Sequence, residues 1–264
     1  MSWLISGGLK TTWAEGGMPS QAMVSGITYR IHTFSSIGTS TLNVLNTGNY
    51  EYLIIAGGGG GGVGFGGGGG GGGYRTGSMI MSIGAYSVQV GAGGLAGPAS
   101  NTQGSNGENS SFNGIISAGG GGGGGGTGAI IVGLAGGSGG GGGAGSGAGG
   151  AGNTPSVSPS QGNSGAAGLG GVRGGGGGGA GATGSGRDGG AGIITSFNGS
   201  LVGYAGGGAA NSTTVLGNAS SGGGGLYGGI YQSAFANTGG GGNGDSLRPS
   251  GNGGSGIVII RYQI

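Results

Sequence analysis

Tyr50–Gly73 reads YEYLIIAGGGGGGVGFGGGGGGGG, an apolar strand that runs straight into glycine. Further blocks follow at Gly119–Gly126, Gly139–Gly143, Gly174–Gly179, Gly222–Gly225 and Gly239–Gly242, and the chain closes on GGSGIVIIRYQI, which reads as a strand again. Glycine loses more backbone entropy on ordering than any other residue and has no side chain to bury. Any fold for this chain must therefore use what glycine alone permits, the close approach of backbone to backbone. A polyproline-II-like chain has three residues per turn, rises about 3.1 Å per residue and makes no internal hydrogen bonds. Its peptide groups point outward, so a lattice of such glycine helices can pair N–H and C=O groups with neighbours that any Cβ would hold away. Each bond contributes about 1 kcal/mol net against roughly 1–2 kcal/mol of backbone entropy per residue. Such a lattice needs many bonds and a conventional β scaffold to start it.

Two other glycine-rich states are poorer fits. Collagen requires a strict Gly-X-Y period with abundant proline, whereas here glycines run consecutively and Pro occurs only 5 times against 91 Gly. Disordered segments are rich in charge and poor in β-branched and aromatic residues, but charged residues make up only 5% of this chain. The formal charge is +2, with the Arg residues scattered; no cluster can neutralise a row of phosphates, so nucleic acid is not an expected partner. The absence of Cys excludes disulfides and thiolate metal sites. No apolar run approaches the ~18–20 residues of a membrane span, so membrane insertion is not expected.

From Ile27 the pattern is β. ITYRIHTF alternates, placing Ile27, Tyr29, Ile31 and Thr33 on one face and Thr28, Arg30 and His32 on the other. TSTLNVL, YEYLIIAG, SMIMSIG and AYSVQV follow as further strands, and Val258, Ile260, Tyr262 and Ile264 share a face at the C-terminus. Between about 95 and 255, glycine blocks alternate with segments rich in Asn, Ser, Thr and Ala. NSSFNGIISAGGGG (Asn109–Gly122) is echoed by TSFNGSLVGYAGGG (Thr195–Gly208), which points to stacked, similar units. The expected fold is mainly β with polyglycine-II helices and essentially no α-helix. A β frame over about 27–94 and 256–264 would join a glycine lattice over about 95–255 with the 57–73 blocks. Residues 1–26, with Trp3 and Trp13 and little periodicity, fit two readings, an N-terminal attachment segment that docks on a partner and the first strand of the main domain; the attachment segment is the favoured one.

No enzymatic chemistry is expected. GxGxxG matches are meaningless in this background, the sole lysine, Lys10, is not in a GK[ST] loop, and His32 is the single histidine. No spacing of Asp, Glu and His suggests a metal site, and no cofactor is implied. Glu51, Glu108 and Asp188 read as solvated. The informative residues are those interrupting the glycine, because turns on a rigid scaffold concentrate binding residues and Tyr, Ser, Gly and Asn make adaptable contacts. GNTPSVSPSQGNS (Gly152–Ser164) contributes Asn153, Ser156, Ser158 and Gln161. AANSTTVLGNASS (Ala209–Ser221) contributes Asn211, and LYGGIYQSAFANT (Leu226–Thr238) contributes Tyr227, Tyr231 and Phe235. LAGPASNTQGSNGENS (Leu95–Ser110) reads as a similar exposed turn. The same four segments also fit plain soluble turns, whose aromatics then only plug the lattice edges.

Taken in order, ITYRIHTFSSIGTSTLNVL, YEYLIIAGGGGGG, YSVQVGAGG, NSSFNGIISAGGGGGG and GGSGIVIIRY resemble the glycine-rich domain common in bacteriophage tail-fibre and related virion proteins. The resemblance spans roughly Ile27 to Ile264. A more distant similarity is to T-even-type tail-fibre tip adhesins, in which packed polyglycine-II helices carry variable loops that bind a bacterial surface receptor. The glycine-rich region of the anaplastic lymphoma kinase receptor is similar in style. The resemblance implies a virion protein that is a tail fibre or its tip, with other tail or fibre proteins and a host surface polysaccharide or outer-membrane protein as partners. A homotrimer and a single self-satisfied chain both remain open. Two further roles fit the same sequence: a structural head-fibre, decoration or baseplate component, and an extracellular adhesion domain.

Overall fold

The computed structural model describes residues 13–128, 131–171, 173–210, 233–245 and 249–264. The fold is mainly β, with no helix among the described residues. Two five-stranded sheets and one hairpin carry the strands. The first sheet orders β1 (Ala14–Glu15), β4 (Gly38–Val44), β7 (Gly84–Val90), β8 (Ser110–Phe112) and β9 (Ile115–Ser117). The second orders β2 (Met18–Val24), β3 (Ile27–Phe34), β12 (Ile257–Gln263), β5 (Gly48–Ile55) and β6 (Tyr74–Met81). β10 (Ile193–Thr195) and β11 (Val202–Tyr204) form the separate hairpin. The C-terminal strand returns to the N-terminal ones. β12 lies between β3 and β5, with Ile260 paired to His32 on one side and to Tyr52 on the other.

β12 is apolar on both faces because both are covered. Val258, Ile260 and Tyr262 meet Phe34, Leu42, Tyr50, Val88 and Phe112 between the sheets. Ile257 and Ile259 meet Tyr29, Ile31, Leu53 and Ile55 on the opposite side, capped by Phe197 and Tyr204 from the β10–β11 segment. His32, 2% exposed, lies on the face of β3 that carries Phe34 and stacks on Tyr262 between the sheets.

Residues 14–24, expected to belong to a separate attachment segment, are built into both sheets. β1 pairs with β4, and β2 pairs with β3 along its length. The Gly16–Gly17 link, with φ of 122° and 60°, turns the chain from one sheet to the other. A Cβ on Gly16 would collide with the Thr41 carbonyl, and one on Gly17 with the Thr33 carbonyl, so this crossing requires glycine.

At Gly57 the side chains stop and the architecture changes. In the sandwich the two sheets are held apart by their side chains, as stacked sheets are by about 10 Å. Beyond Ala56 they bond to each other. Gly57 and Gly60, continuing β5, donate to Glu108 and Ser105, on the segment leading into β8. Gly94, continuing β7, donates back to Gly58. The direction of bonding rotates with a three-residue repeat. Gly57, Gly60 and Val63 donate to 102–108; Gly58 and Gly61 donate to Gly254 and Gly251; Gly59 and Gly62 donate to Gly70 and Gly67. The same segment accepts from Gly94 and Gly97, from Gly120 and Gly123, and from Gly242 and Asp245. Three neighbours receive and three others give. Residues 66–73 repeat the arrangement, donating to segments at 118–124, 175–178 and 239–242 and accepting from 56–62, 138–141 and Gly208. A Cβ on Gly59, Gly62, Gly68 or Gly69 would fall inside 3.0 Å of a neighbouring backbone carbonyl, closer than real side chains come. That proximity, not local flexibility, is what selects glycine here.

Candidate functional site

Arg261 and Glu51 of the frame are used internally. Arg261 on β12 reaches Glu51 on β5, its Nε 2.7 Å and its Nη2 2.6 Å from the Glu51 Oε2. Its Nη1 donates to the Phe197 carbonyl at 2.8 Å, and the guanidinium lies 4.1 Å from the ring centroids of Tyr29 and Phe197. The planar cation is thus held between two aromatic faces, and this ties the β10–β11 cover to the sheet. Glu51 is therefore paired, which corrects its reading as a solvated residue. Glu108 likewise accepts from the Ala92 N–H at 3.1 Å.

Trp13 is half-buried against the core of the frame. Its ring stacks on Tyr262 with centroids 5.5 Å apart, its backbone N–H donates to the Tyr262 hydroxyl, and its backbone carbonyl accepts from the Tyr50 hydroxyl at 2.9 Å. Burial, with Tyr262 and Tyr86 nearby, pushes the Tyr50 hydroxyl up to about 12. Trp13 closes the open end of the sandwich core, which corrects its assignment to virion docking. Trp3 lies outside the described residues.

His32 sits beside a cavity of about 300 Å³ bounded by the Gly16–Gly17 link, Pro19 and Arg30. Its Nδ1 is 2.8 Å from the Gly16 carbonyl. A carbonyl only accepts, so Nδ1 carries the proton and the buried Nε2 is left without a partner. Burial is the main force lowering its pKa, opposed by the Gly16 bond and assisted by Arg30. No nucleophile or carboxylate pair stands with it, and among the described residues no group of His, Cys, Asp and Glu could hold a metal ion.

The residues expected to bind a receptor fall into three groups. Asn153, Ser156, Ser158 and Gln161 share one loop, which springs from the end of the lattice nearest the frame: the Asn153 N–H donates to Gly137 and the Gln161 carbonyl accepts from Tyr74. Ser156 and Ser158 are exposed. Asn153 and Gln161 hold the loop's shape. The Asn153 carboxamide exchanges bonds with Val157 and accepts from the Gln161 N–H, while the Gln161 side chain accepts from Ala118 and donates to the Pro155 carbonyl. Gln161 is 1% exposed, which corrects its placement among contact residues. Phe235 is exposed at 58%, in a turn held to Asn252 through Ala234 and Ser233. Its anchors differ from those of the Asn153 loop, so the two are separate features. Asn211, Tyr227 and Tyr231 lie outside the described residues.

One feature in Leu95–Ser110 escapes a reading as a plain turn. Gln103, Asn106 and Asn109 recur every three residues and bond along the edge of the lattice. The Asn106 and Asn109 carboxamide oxygens accept from Gly122 and Gly119, each at 2.9 Å. Gln103 and Asn106 donate to the carbonyls of Val132 and Ala135. These amides replace a missing backbone neighbour for segment 119–126. The amide–Gly–X repeat QGSNGEN carries that signal in the sequence.

Among the described residues no helix is long and apolar enough to cross a membrane. No curated protein matches the chain. The profile of the glycine-rich domain family covers residues 33–263, from the end of β3 to the last residue of β12. Strands β4 to β12 and the glycine lattice fall within that match together, and the chain belongs to the glycine-rich domain family.

Proposed function

We propose that this chain is a bacteriophage virion protein, a tail fibre or fibre tip, that adsorbs to a host-surface polysaccharide or outer-membrane protein through loops on its glycine lattice. The observation that carries the reading is the Asn153–Gln161 loop. Its internal carboxamide bonds fix its shape and leave hydroxyls at Ser156 and Ser158 free in solvent. A loop preorganised in this way loses little entropy on binding, and hydroxyls and amides suit a carbohydrate or polar protein surface. Membership of the family and the similarity to virion glycine-rich domains support the same reading. Docking to neighbouring tail proteins would use surfaces other than Trp13.

The test exchanges Ser156 and Ser158 for alanine, alone and together, and measures adsorption of particles to host cells beside the melting temperature of the purified chain. Reduced adsorption at unchanged melting is expected. Full adsorption by the double variant removes the loop from the contact surface. A second reading, a head-fibre, decoration or baseplate component that binds no receptor, draws on the bonding of the central segments on every side, which makes the lattice a stiff spacer. Antibody labelling of intact particles separates the two by position.

A further inference from the structure

The chain contains five Asn-Gly pairs, at Asn106, Asn113, Asn198, Asn243 and Asn252. Asn-Gly is the dipeptide most open to spontaneous cyclisation, because the glycine nitrogen has no side chain beside it to hinder attack on the asparagine carboxamide. Four of the pairs are held at both reacting groups. The glycine N–H groups of Gly107, Gly199, Gly244 and Gly253 donate to the carbonyls of Gly120, Ser196, Ala209 and Gly94. The carboxamide oxygens of Asn106, Asn198, Asn243 and Asn252 accept from the backbone N–H groups of Gly122, Ser200, Ala209 and Ala96.

Asn113–Gly114 differs on both counts. It is the turn between Phe112 and Ile115, which pair across the β8–β9 hairpin, with φ of 48° at Asn113 and 79° at Gly114. Both residues are exposed, nothing lies within 4 Å of where a Gly114 Cβ would stand, and the Gly114 N–H has no hydrogen-bond partner. The Asn113 carboxamide has a single contact, from Nδ2 to the Met79 sulfur at 3.6 Å, and a thioether is a weak acceptor.

We propose that Asn113 is a site of selective self-modification, converting to aspartyl and isoaspartyl linkages while the other four Asn-Gly pairs of the folded chain stay intact. The Gly114 nitrogen, deprotonated by solvent hydroxide, attacks Asn113 Cγ. The new N–C bond closes a cyclic imide as the carboxamide C–N bond breaks, and the nitrogen leaves as ammonia with a proton from water. Water then adds to either imide carbonyl, giving aspartate or the isoaspartyl form. The isoaspartyl product adds a backbone carbon inside the turn and presses on the pairing of Ser110–Phe112 with Ile115–Ser117.

The sequence supplies its own control. Ser111–Gly114 and Ser196–Gly199 are the same tetrapeptide, Ser-Phe-Asn-Gly, so local sequence alone predicts equal rates at Asn113 and Asn198. The test incubates the full chain in mildly alkaline buffer, native and in denaturant, and quantifies aspartyl and isoaspartyl products by peptide mass mapping. In the native chain Asn113 is expected to convert roughly tenfold or more faster than Asn198, since two hydrogen bonds must break at the latter. In denaturant the two should convert at comparable rates. Native conversion at any other Asn-Gly that matches Asn113, or the same selectivity in denaturant, overturns the proposal. So does a native Asn113 that stays intact while the denatured chain reacts.

Discussion

Three side chains close the end of the sandwich opposite the glycine, and each has a measurable weight. Trp13, Tyr50 and Tyr262 form a stacked and edge-on cluster joined by hydroxyl-to-backbone bonds. Truncating Trp13 to alanine should cost about 3 kcal/mol, the lower end for a large aromatic because it is only partly buried. Chemical denaturation of Trp13→Ala would show this as a lowered midpoint at unchanged slope; a wild-type midpoint would mean that the ring contributes no packing. His32 links the same region to pH. Its folded pKa is depressed mainly by burial, so below the unfolded value of about 6.5 the unfolded chain binds more protons. The stability associated with neutral His32 is complete above that pH and is lost as pH falls toward the folded value. Arg30 and Glu15 are the charged neighbours lining its cavity, and Tyr262 stacks on its ring. Melting temperature should therefore fall from neutral pH to pH of about 5, and His32→Gln should flatten that slope. An equal slope in the variant would place the titration elsewhere.

At the scale of elements, the strands and the glycine segments obey different selection rules. A strand tolerates substitution on whichever face has room, whereas a lattice segment has neighbours on every side. Gly69→Ala would drive a methyl into the Gly59 carbonyl, and overpacking of this kind costs about 3 kcal/mol or more where backbone cannot yield. Gly114→Ala meets nothing within 4 Å and carries only the positive-φ cost of about 1 kcal/mol. Comparing the two variants by thermal melting tests whether proximity or conformation selects the glycine; equal losses would favour conformation. The sequence made the frame legible where residues alternate, as in β5, β7 and β12. It hid β2, whose MPSQAMV has no alternation because the strand lies at an exposed edge with no face fully buried. That the glycine blocks pack backbone against backbone was legible from the blocks themselves. Their pairings were not, since a glycine carries no side chain to name its neighbour. Side-chain amides encode partners instead, as in the column at Gln103, Asn106 and Asn109 and at Asn243 and Asn252. The Asn153–Gln161 loop was legible as a segment, but its division into exposed Ser156 and Ser158 and structural Asn153 and Gln161 depended on contacts to Val157, Pro155 and Ala118 that no local pattern specifies.

For the whole molecule, frame and lattice are one body because the same chain segments pass from one to the other. β5, β6, β7, β8, β9 and β12 all continue into lattice segments. Removing residues 1–12 leaves every strand described here in place, while removing residues 1–24 strips one strand from each sheet together with the Trp13 stack. The longer deletion should lower the melting temperature of lattice and frame together in a single transition. Two separate transitions would show that they unfold independently. Beyond Gly57 the interior consists of peptide groups bonded to peptide groups, with hardly a side chain to withdraw from water. Apolar exposure on unfolding raises heat capacity and peptide exposure lowers it, and ordinary domains show a net gain of about 12–15 cal/mol/K per residue. This chain should fall well below that range in scanning calorimetry, and a value within it would contradict a backbone-dominated interior. A small heat-capacity change flattens the dependence of stability on temperature, so the glycine interior should hold its shape in the cold nearly as well as at the temperature of maximum stability.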